Sequence, residues 1–297
     1  MGGDYFDSAI EISQVAQIAC LLEVSSPKPG NVSSEHDFSD MKYEDFLFSS
    51  AAIGEIFLDL EQSSTGDLIL AGVKSTKKYV QANTNLGTII LLAPLAKAYY
   101  NSINIKGESR LDSFKEELST VLDNLTVADA KKAYQAIRLA NAGGLGESEQ
   151  EDVREEPKVD LKEAMELARN RDNIAKEYSN NFEITFNLAY PALKEHFNQA
   201  DSFREAILQT FLYLLSKLPD TLIARKTSPK KAEAISKKAG MVLKAGGVYT
   251  SEGQKRIAQL KKDLSGNNNR YNPGTTADII AATVFVFILL EGVQVFK

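Results

Sequence analysis

Thr275-Thr276-Ala277-Asp278-Ile279-Ile280-Ala281-Ala282-Thr283-Val284-Phe285-Val286-Phe287-Ile288-Leu289-Leu290-Glu291-Gly292 is the stretch on which the fold class turns. Taken alone, Val284 to Leu290 is β-branched and apolar enough to be read as a buried strand. What precedes it decides for a helix. Thr275 and Asp278 stand at the spacing of a capping box, so the apolar run continues from a capped start. The expected element is one helix from Thr275 or Thr276 to Gly292. Its apolar run, Ile279 to Leu290, is too short to cross a bilayer and reads as a buried helix.

Working back along the chain, the same periodicity recurs. Ile12, Val15, Ala19 and Leu22 repeat at helical spacing, as do Phe46, Ser50, Ile53 and Phe57. Further helical patterns cover 67–79, 86–100 with a kink expected at Pro94, 111–125, 161–178, 182–197 broken by Pro191, 203–218, 229–243 and 251–264. Thr126-Val127-Ala128-Asp129 reads as another capping box, opening a helix that ends at Asn141-Ala142-Gly143-Gly144. Residues 146–160, rich in Glu and Asp, read as a solvated or mobile acidic loop and a candidate lid. No stretch alternates like a strand, so the expectation is an all-α protein: a single large helical bundle of roughly a dozen helices over residues 1–297.

Composition narrows the function classes. The 297 residues carry a formal net charge of −6, which argues against nucleic acid as a partner. The single cysteine, Cys20, excludes a disulfide framework, and two histidines, His36 and His196, exclude a multi-histidine metal cage. Oxygen ligands remain, which suit magnesium better than zinc. Without a signal pattern or a spanning segment, the expected location is the cytoplasm and no membrane partner is expected. A homodimer would need an exposed apolar helix face.

Polar, turn-rich clusters interrupt the helices. In Ser25-Ser26-Pro27-Lys28-Pro29-Gly30-Asn31 the two prolines hold Ser26 and Lys28 extended and Gly30 permits a turn, so a stiff loop presents one cation or simply stops a helix. Asn83-Thr84-Asn85-Leu86-Gly87 either binds a ligand or caps the next helix. Gly143-Gly144 is a helix end or a phosphate cradle. In His36-Asp37-Phe38-Ser39-Asp40-Met41, Asp40 holds magnesium through water, orients a hydroxyl, or caps the helix containing Phe46. Asp220-Thr221-Leu222-Ile223-Ala224-Arg225-Lys226 offers Arg225 as a phosphate fork and Asp220 as a metal ligand or a helix start. Asn272-Pro273-Gly274 with Thr275, Thr276 and Asp278 completes the set. Helix N-termini gathered at one end of a bundle would suit phosphate.

Glu23, Pro27-Lys28-Pro29-Gly30-Asn31-Val32, His36 with Asp40-Met41, Asn83-Thr84 with Gly87, Gly143-Gly144, 220–225 and 272–278 resemble, in order and spacing, the triphosphoribosyl-dephospho-CoA synthase family. The resemblance runs from about residue 12 to 291. It implies an all-helical transferase that joins the ribose C1′ of ATP to the 2′-hydroxyl of dephospho-CoA and expels adenine, with ATP as substrate and Mg²⁺ beside the triphosphate. It further implies Lys28 and Arg225 on phosphates, with Gly30, Asn31, Asn83, Thr84, Gly143, Gly144, Thr275 and Thr276 around the nucleotide. Asp40, with His36, and Asp220, with Glu23, fall to the attacking hydroxyl or the metal, and Asp278 to the reacting sugar. One departure stands out: bacterial members typically read Asn-Thr-His-Lys-Gly where this chain has Asn85 and Leu86. An imidazole and an ammonium are absent there, leaving open a different phosphoribosyl-type acceptor or a catalytically silent nucleotide-binding protein.

Overall fold

The computed structural model describes residues 5–105, 109–141, 143, 150–265 and 269–296. These form fourteen α-helices, with short 3-10 turns and one π-helical segment between them. Among the described residues there is no β-strand, only a lone bridge between Ser33 and His36.

The helix that decided the reading, α14 (Gly274–Glu291), is the axis of the bundle. Ile279 to Leu290 are all buried, and the helix packs against α1 (Ala9–Ser25), α4 (Leu86–Ser102), α9 (Tyr190–Gln199) and α10 (Phe203–Lys217). A helix apolar on every side needs neighbours on every side. Thr283 fits because its hydroxyl donates to the Ile279 carbonyl at 2.7 Å. At the far end Tyr99 of α4 donates to the Leu289 carbonyl at 3.1 Å and meets Phe114 edge-on, with ring centroids 5.3 Å apart.

Three expectations change in detail. Residues 161–178 form two helices, α7 (Leu161–Ala168) and α8 (Asn173–Ser179), because Asp172 caps the second by accepting the Ile174 N–H at 2.9 Å. Pro94 lies within an unbroken α4. Pro191 sits in the first turn of α9, where a proline lacks no needed donor, and the residues before it, Ile184–Ala189, are π-helical. The buried Glu177 holds that irregular segment by accepting from the Ile184 and Thr185 N–H groups at 2.9 and 2.8 Å.

The remaining helices are α2 (Tyr43–Ala52), α3 (Thr65–Lys77), α5 (Arg110–Asp123), α6 (Val127–Ala140), α11 (Thr221–Lys226), α12 (Pro229–Lys244) and α13 (Ser251–Leu264). Most helices begin with their own Ser, Thr or Asp cap, for example Ser64 on α3 and the Thr126–Asp129 box on α6. Neither α4 nor α14 has such a cap. Both begin at the same cleft.

Candidate active site

The cleft encloses about 620 Å³, within the range of small-molecule sites. Its wall brings together the C-terminal end of α1, the turn leading into α4, the turn leading into α14, and α11 with the entry to α8. The convergence expected of the polar clusters is therefore real for most of them.

Asp278 stands in this wall, in the second turn of α14, with its carboxyl against the start of α4. Thr88 Oγ1 donates to Asp278 Oδ1 at 2.7 Å. Its protonation midpoint is pushed up to about 8, chiefly by removal from water, with Thr88 opposing the rise and the carboxylates of Glu23, Asp220 and Asp172 adding to it. The capping box expected of Thr275 and Asp278 is absent: the N-cap position falls on Pro273.

Asp220 supplies what α14 lacks. One oxygen caps α11 by accepting the Ile223 N–H at 2.9 Å, and the other accepts the N–H and hydroxyl of Thr276 at 2.7 and 2.8 Å. It is fully buried. Burial raises its pKa, and those donors and Arg225 oppose the rise. Asp220 is thus a shared cap with both oxygens occupied, rather than an open metal ligand. Thr276 is turned to it, while Thr275, hydrogen-bonded to Thr221 at 3.2 Å, lines the cleft.

The cations divide differently from the sequence expectation. Lys28 is not held out on a stiff loop; its side chain is wholly buried, and it folds back onto the end of α1. Its ammonium donates to the Glu23 and Ser26 carbonyls, the latter at 2.8 Å, and pairs with the Glu23 carboxylate at 3.0 Å. Glu23, so tethered, lines the cleft. Arg225 does reach the wall, ion-paired with Asp172, and among the described residues its Nε has no hydrogen-bond partner. Arg171 and Lys226 stand beside it, and burial lowers the Lys226 pKa.

Asn31 is in the wall and donates to Asn272 Oδ1 at 2.8 Å, joining the Pro-rich loop to the start of α14. Gly30 makes that junction possible without lining the cleft. Its φ is +85°, and a Cβ there would lie 2.9 Å from Pro273 Cδ. Asp40 lies at an exposed part of the wall, accepting from Asn269 at 2.8 Å. It does not cap α2; Asp45 and Asp37 accept the Lys42 and Tyr43 N–H groups there. His36 is outside the wall, its ring edge-on to Phe38.

Of the turn before α4, Asn83 accepts the Leu86 N–H at 3.3 Å and Thr84 shares a 2.5 Å hydrogen bond with Ser49. Asn85 turns its amide to Thr76 at 3.1 Å, and Leu86 presents an apolar side chain to the cleft. Gly143 is in the wall. Gly144 and Leu145 lie outside the described residues, as do 146–149 of the expected acidic loop.

The described part of that loop is solvated in places, with Gln150, Arg154, Glu155, Glu156 and Lys158 exposed, and anchored in others. Tyr134 donates to the Glu151 carbonyl at 3.2 Å, Arg138 to that of Val153 at 2.5 Å, and Asp152 is buried. Glu151, Asp152 and Val153 border the cleft next to an aliphatic wall from α6, α7 and α8 that includes Ile137, Leu161 and Met165. Among the described residues no cluster of three or more His, Cys, Asp or Glu could hold a metal ion. Thr88, Arg171 and Asp172 were not singled out in the sequence. Thr88 follows the glycine of a polar turn at a helix start, the one signal that could have marked it.

The sequence model described as ATP:dephospho-CoA triphosphoribosyl transferase matches residues 9–295. A protein of Pseudomonas fluorescens described as a 2-(5″-triphosphoribosyl)-3′-dephosphocoenzyme-A synthase is 30% identical over 111 residues, which span 37% of this chain and 38% of that protein. A crystal structure from Archaeoglobus fulgidus, described as a triphosphoribosyl-dephospho-CoA synthase, superposes with a TM-score of 0.60. That match has 24% identity and covers 82% of this chain and 97% of the other, a likeness of fold.

Proposed function

This chain belongs to the ATP:dephospho-CoA triphosphoribosyl transferase family, and we propose that it transfers the triphosphoribosyl group of ATP to the 2′-hydroxyl of dephospho-CoA with release of adenine. The observation that carries this reading is Asp278: a carboxyl in a cleft wall, hydrogen-bonded to Thr88, with its midpoint raised to about 8. The C1′–N9 bond breaks, adenine leaves with the bonding pair and picks up a proton, and C1′ joins the acceptor oxygen as that hydroxyl loses its own. A carboxylate with a raised pKa suits the second proton, so Asp278 is the general base. The passing oxocarbenium character at C1′ is stabilised by the negative charge around it.

Arg225, Arg171 and Lys226 are the phosphate-binding cations of this proposal, and Arg225 offers an unpaired N–H in addition to its fork. Lys28 acts through Glu23. Among the described residues the site has no cage for a resident metal, but magnesium carried on a triphosphate needs only one or two protein carboxylates. Asp40 is the exposed acid that would supply one, and the ion would offset phosphate charge. Asn31, Asn83, Thr84 and Thr275 face the nucleotides, and the aliphatic wall of α6, α7 and α8 suits the pantetheine arm of the acceptor. A cytoplasmic location belongs to the same proposal.

The test is direct. Purified protein is incubated with ATP, Mg²⁺ and dephospho-CoA, and free adenine is measured. Adenine release that depends on dephospho-CoA supports the reading. ATP binding without turnover overturns it. Leu86 in the wall, where an ammonium is expected from bacterial members, favours a second reading with another acceptor, which release on a different nucleotide-like alcohol would support.

A further inference from the structure

Two observations meet on the carboxyl of Asp278. Thr88 Oγ1 holds one oxygen at 2.7 Å. A Cβ built on Gly87 would fall 2.2 Å from the other oxygen and 2.6 Å from Asp278 Cγ, closer than any side chain tolerates. The carboxyl therefore occupies the space that a side chain at Gly87 would need. Both contacts come from the first turn of α4, across the interface between α4 and α14.

We propose that Gly87 and Thr88 are positioning residues for Asp278, the glycine by leaving room for Oδ2 against the helix start and the threonine by pinning Oδ1. This rests on the reading of Asp278 as the base. A carboxyl held at one oxygen can rotate unless something fixes its plane. Here the backbone of α4 at Gly87 flanks Oδ2, so the plane of the carboxyl is fixed where Asp278 borders the cleft. The same placement sets the carboxylate at the positive end of the α4 dipole, which favours its ionised form. Among the described residues no second hydrogen-bond donor reaches the Asp278 side chain. Its charged surroundings are Glu23, tied to Lys28 on α1, Asp220 and Asp172, with Arg171, Arg225 and Lys226 in the same wall and the Cys20 thiol on α1.

Three substitutions test the assignment in the full-length protein. Thr88→Val keeps the shape and removes the donor. It is expected to lower kcat about tenfold, part of the range that a general base supplies, with KM for ATP and dephospho-CoA unchanged within about twofold. Thr88→Ser restores a hydroxyl and is expected to recover most of the loss. Gly87→Ala should lower kcat about 100-fold by displacing the carboxyl, the order of loss expected for a misplaced reacting group. A second readout needs no turnover. With ¹³C-labelled aspartate, the Asp278 carboxyl should titrate at higher pH in Thr88→Val than in the parent or Thr88→Ser.

The assignment is overturned if Thr88→Val leaves both kcat and the Asp278 midpoint unchanged, or if Thr88→Ser behaves like Thr88→Val. Failure of the functional reading looks different. Asp278→Asn would then leave adenine release intact, while the titration would still report whether Thr88 holds the carboxyl.

Discussion

Asp220, which caps α11 and reaches the start of α14, and Asp278, in the second turn of α14, are both withdrawn from water and both have raised pKa values, yet their surroundings differ. Asp220 accepts from Ile223, from the Thr276 N–H and from the Thr276 hydroxyl, and it faces no open space. Asp278 accepts from Thr88 and faces the cleft. Burial by itself therefore does not separate a structural acid from the proposed base. What separates them is unspent acceptor capacity beside a cavity, since a carboxylate has about four lone-pair sites to fill.

The largest break of this comparison is Asp278→Asn. Adenine release should fall about 10²- to 10⁴-fold, as for loss of a general base, while thermal unfolding at neutral pH is no lower than in the parent, because the amide does not ionise in its buried place. Equal loss of fold and activity would erase the distinction. Asp220→Ala should do the reverse first. Two helices lose a cap and buried N–H groups lose their acceptor, a destabilisation of about 2–4 kcal/mol in urea unfolding. A folded Asp220→Ala protein with unchanged stability would show that the shared cap contributes nothing.

Lys28→Met comes next and sharpens the reassignment of that lysine. It removes donors to two carbonyls and the partner of Glu23, for about 1–3 kcal/mol of stability. KM for ATP should move less than in Arg225→Met, in steady-state kinetics on both variants. The opposite ranking would return Lys28 to the phosphates.

The smallest effect is in pH dependence. The Asp278 midpoint is raised to about 8 from 3.8, so the folded protein holds this proton more tightly than the unfolded chain does. That stabilisation is complete below the unfolded value and is lost as pH rises to about 8. Glu177, raised to about 7, adds the same sign over a lower window. Between pH 7 and 8 the fall in stability belongs mainly to Asp278 and should flatten in Asp278→Asn, as read from melting temperatures. Activity should rise across the same interval.

The helices were legible because their signals are local: apolar periodicity, as in Ile12, Val15, Ala19 and Leu22, and caps such as Thr126 with Asp129. Asn83, Thr84, Asp278 and Arg225 were legible as polar interruptions of that pattern, and they do meet at one cleft. Their hydrogen-bond partners were not. That Asp220 rather than Asp278 serves the start of α14 depends on a contact across 56 residues, and Thr88 reaches Asp278 across 190. Lys28 misled for a related reason. Its prolines fix the loop, but they do not say whether the side chain points outward or back to the Glu23 and Ser26 carbonyls around the end of α1. The division of 161–178 similarly turns on one aspartate, Asp172, which can cap a helix as readily as decorate one.

The carboxylate of Asp220 is also a rivet. It fastens the first turn of α11, which carries Arg225, to the first turn of α14, which carries Asp278 one turn further on. Because one side chain joins both helix starts, Arg225 and Asp278 are carried on parts that share a fastening, and under the proposed function the cation on phosphate and the base would be held as one jaw. Loosening the rivet would widen the spread of distances between the two without removing either group, a loss of tolerance in the fitting of parts rather than a loss of parts.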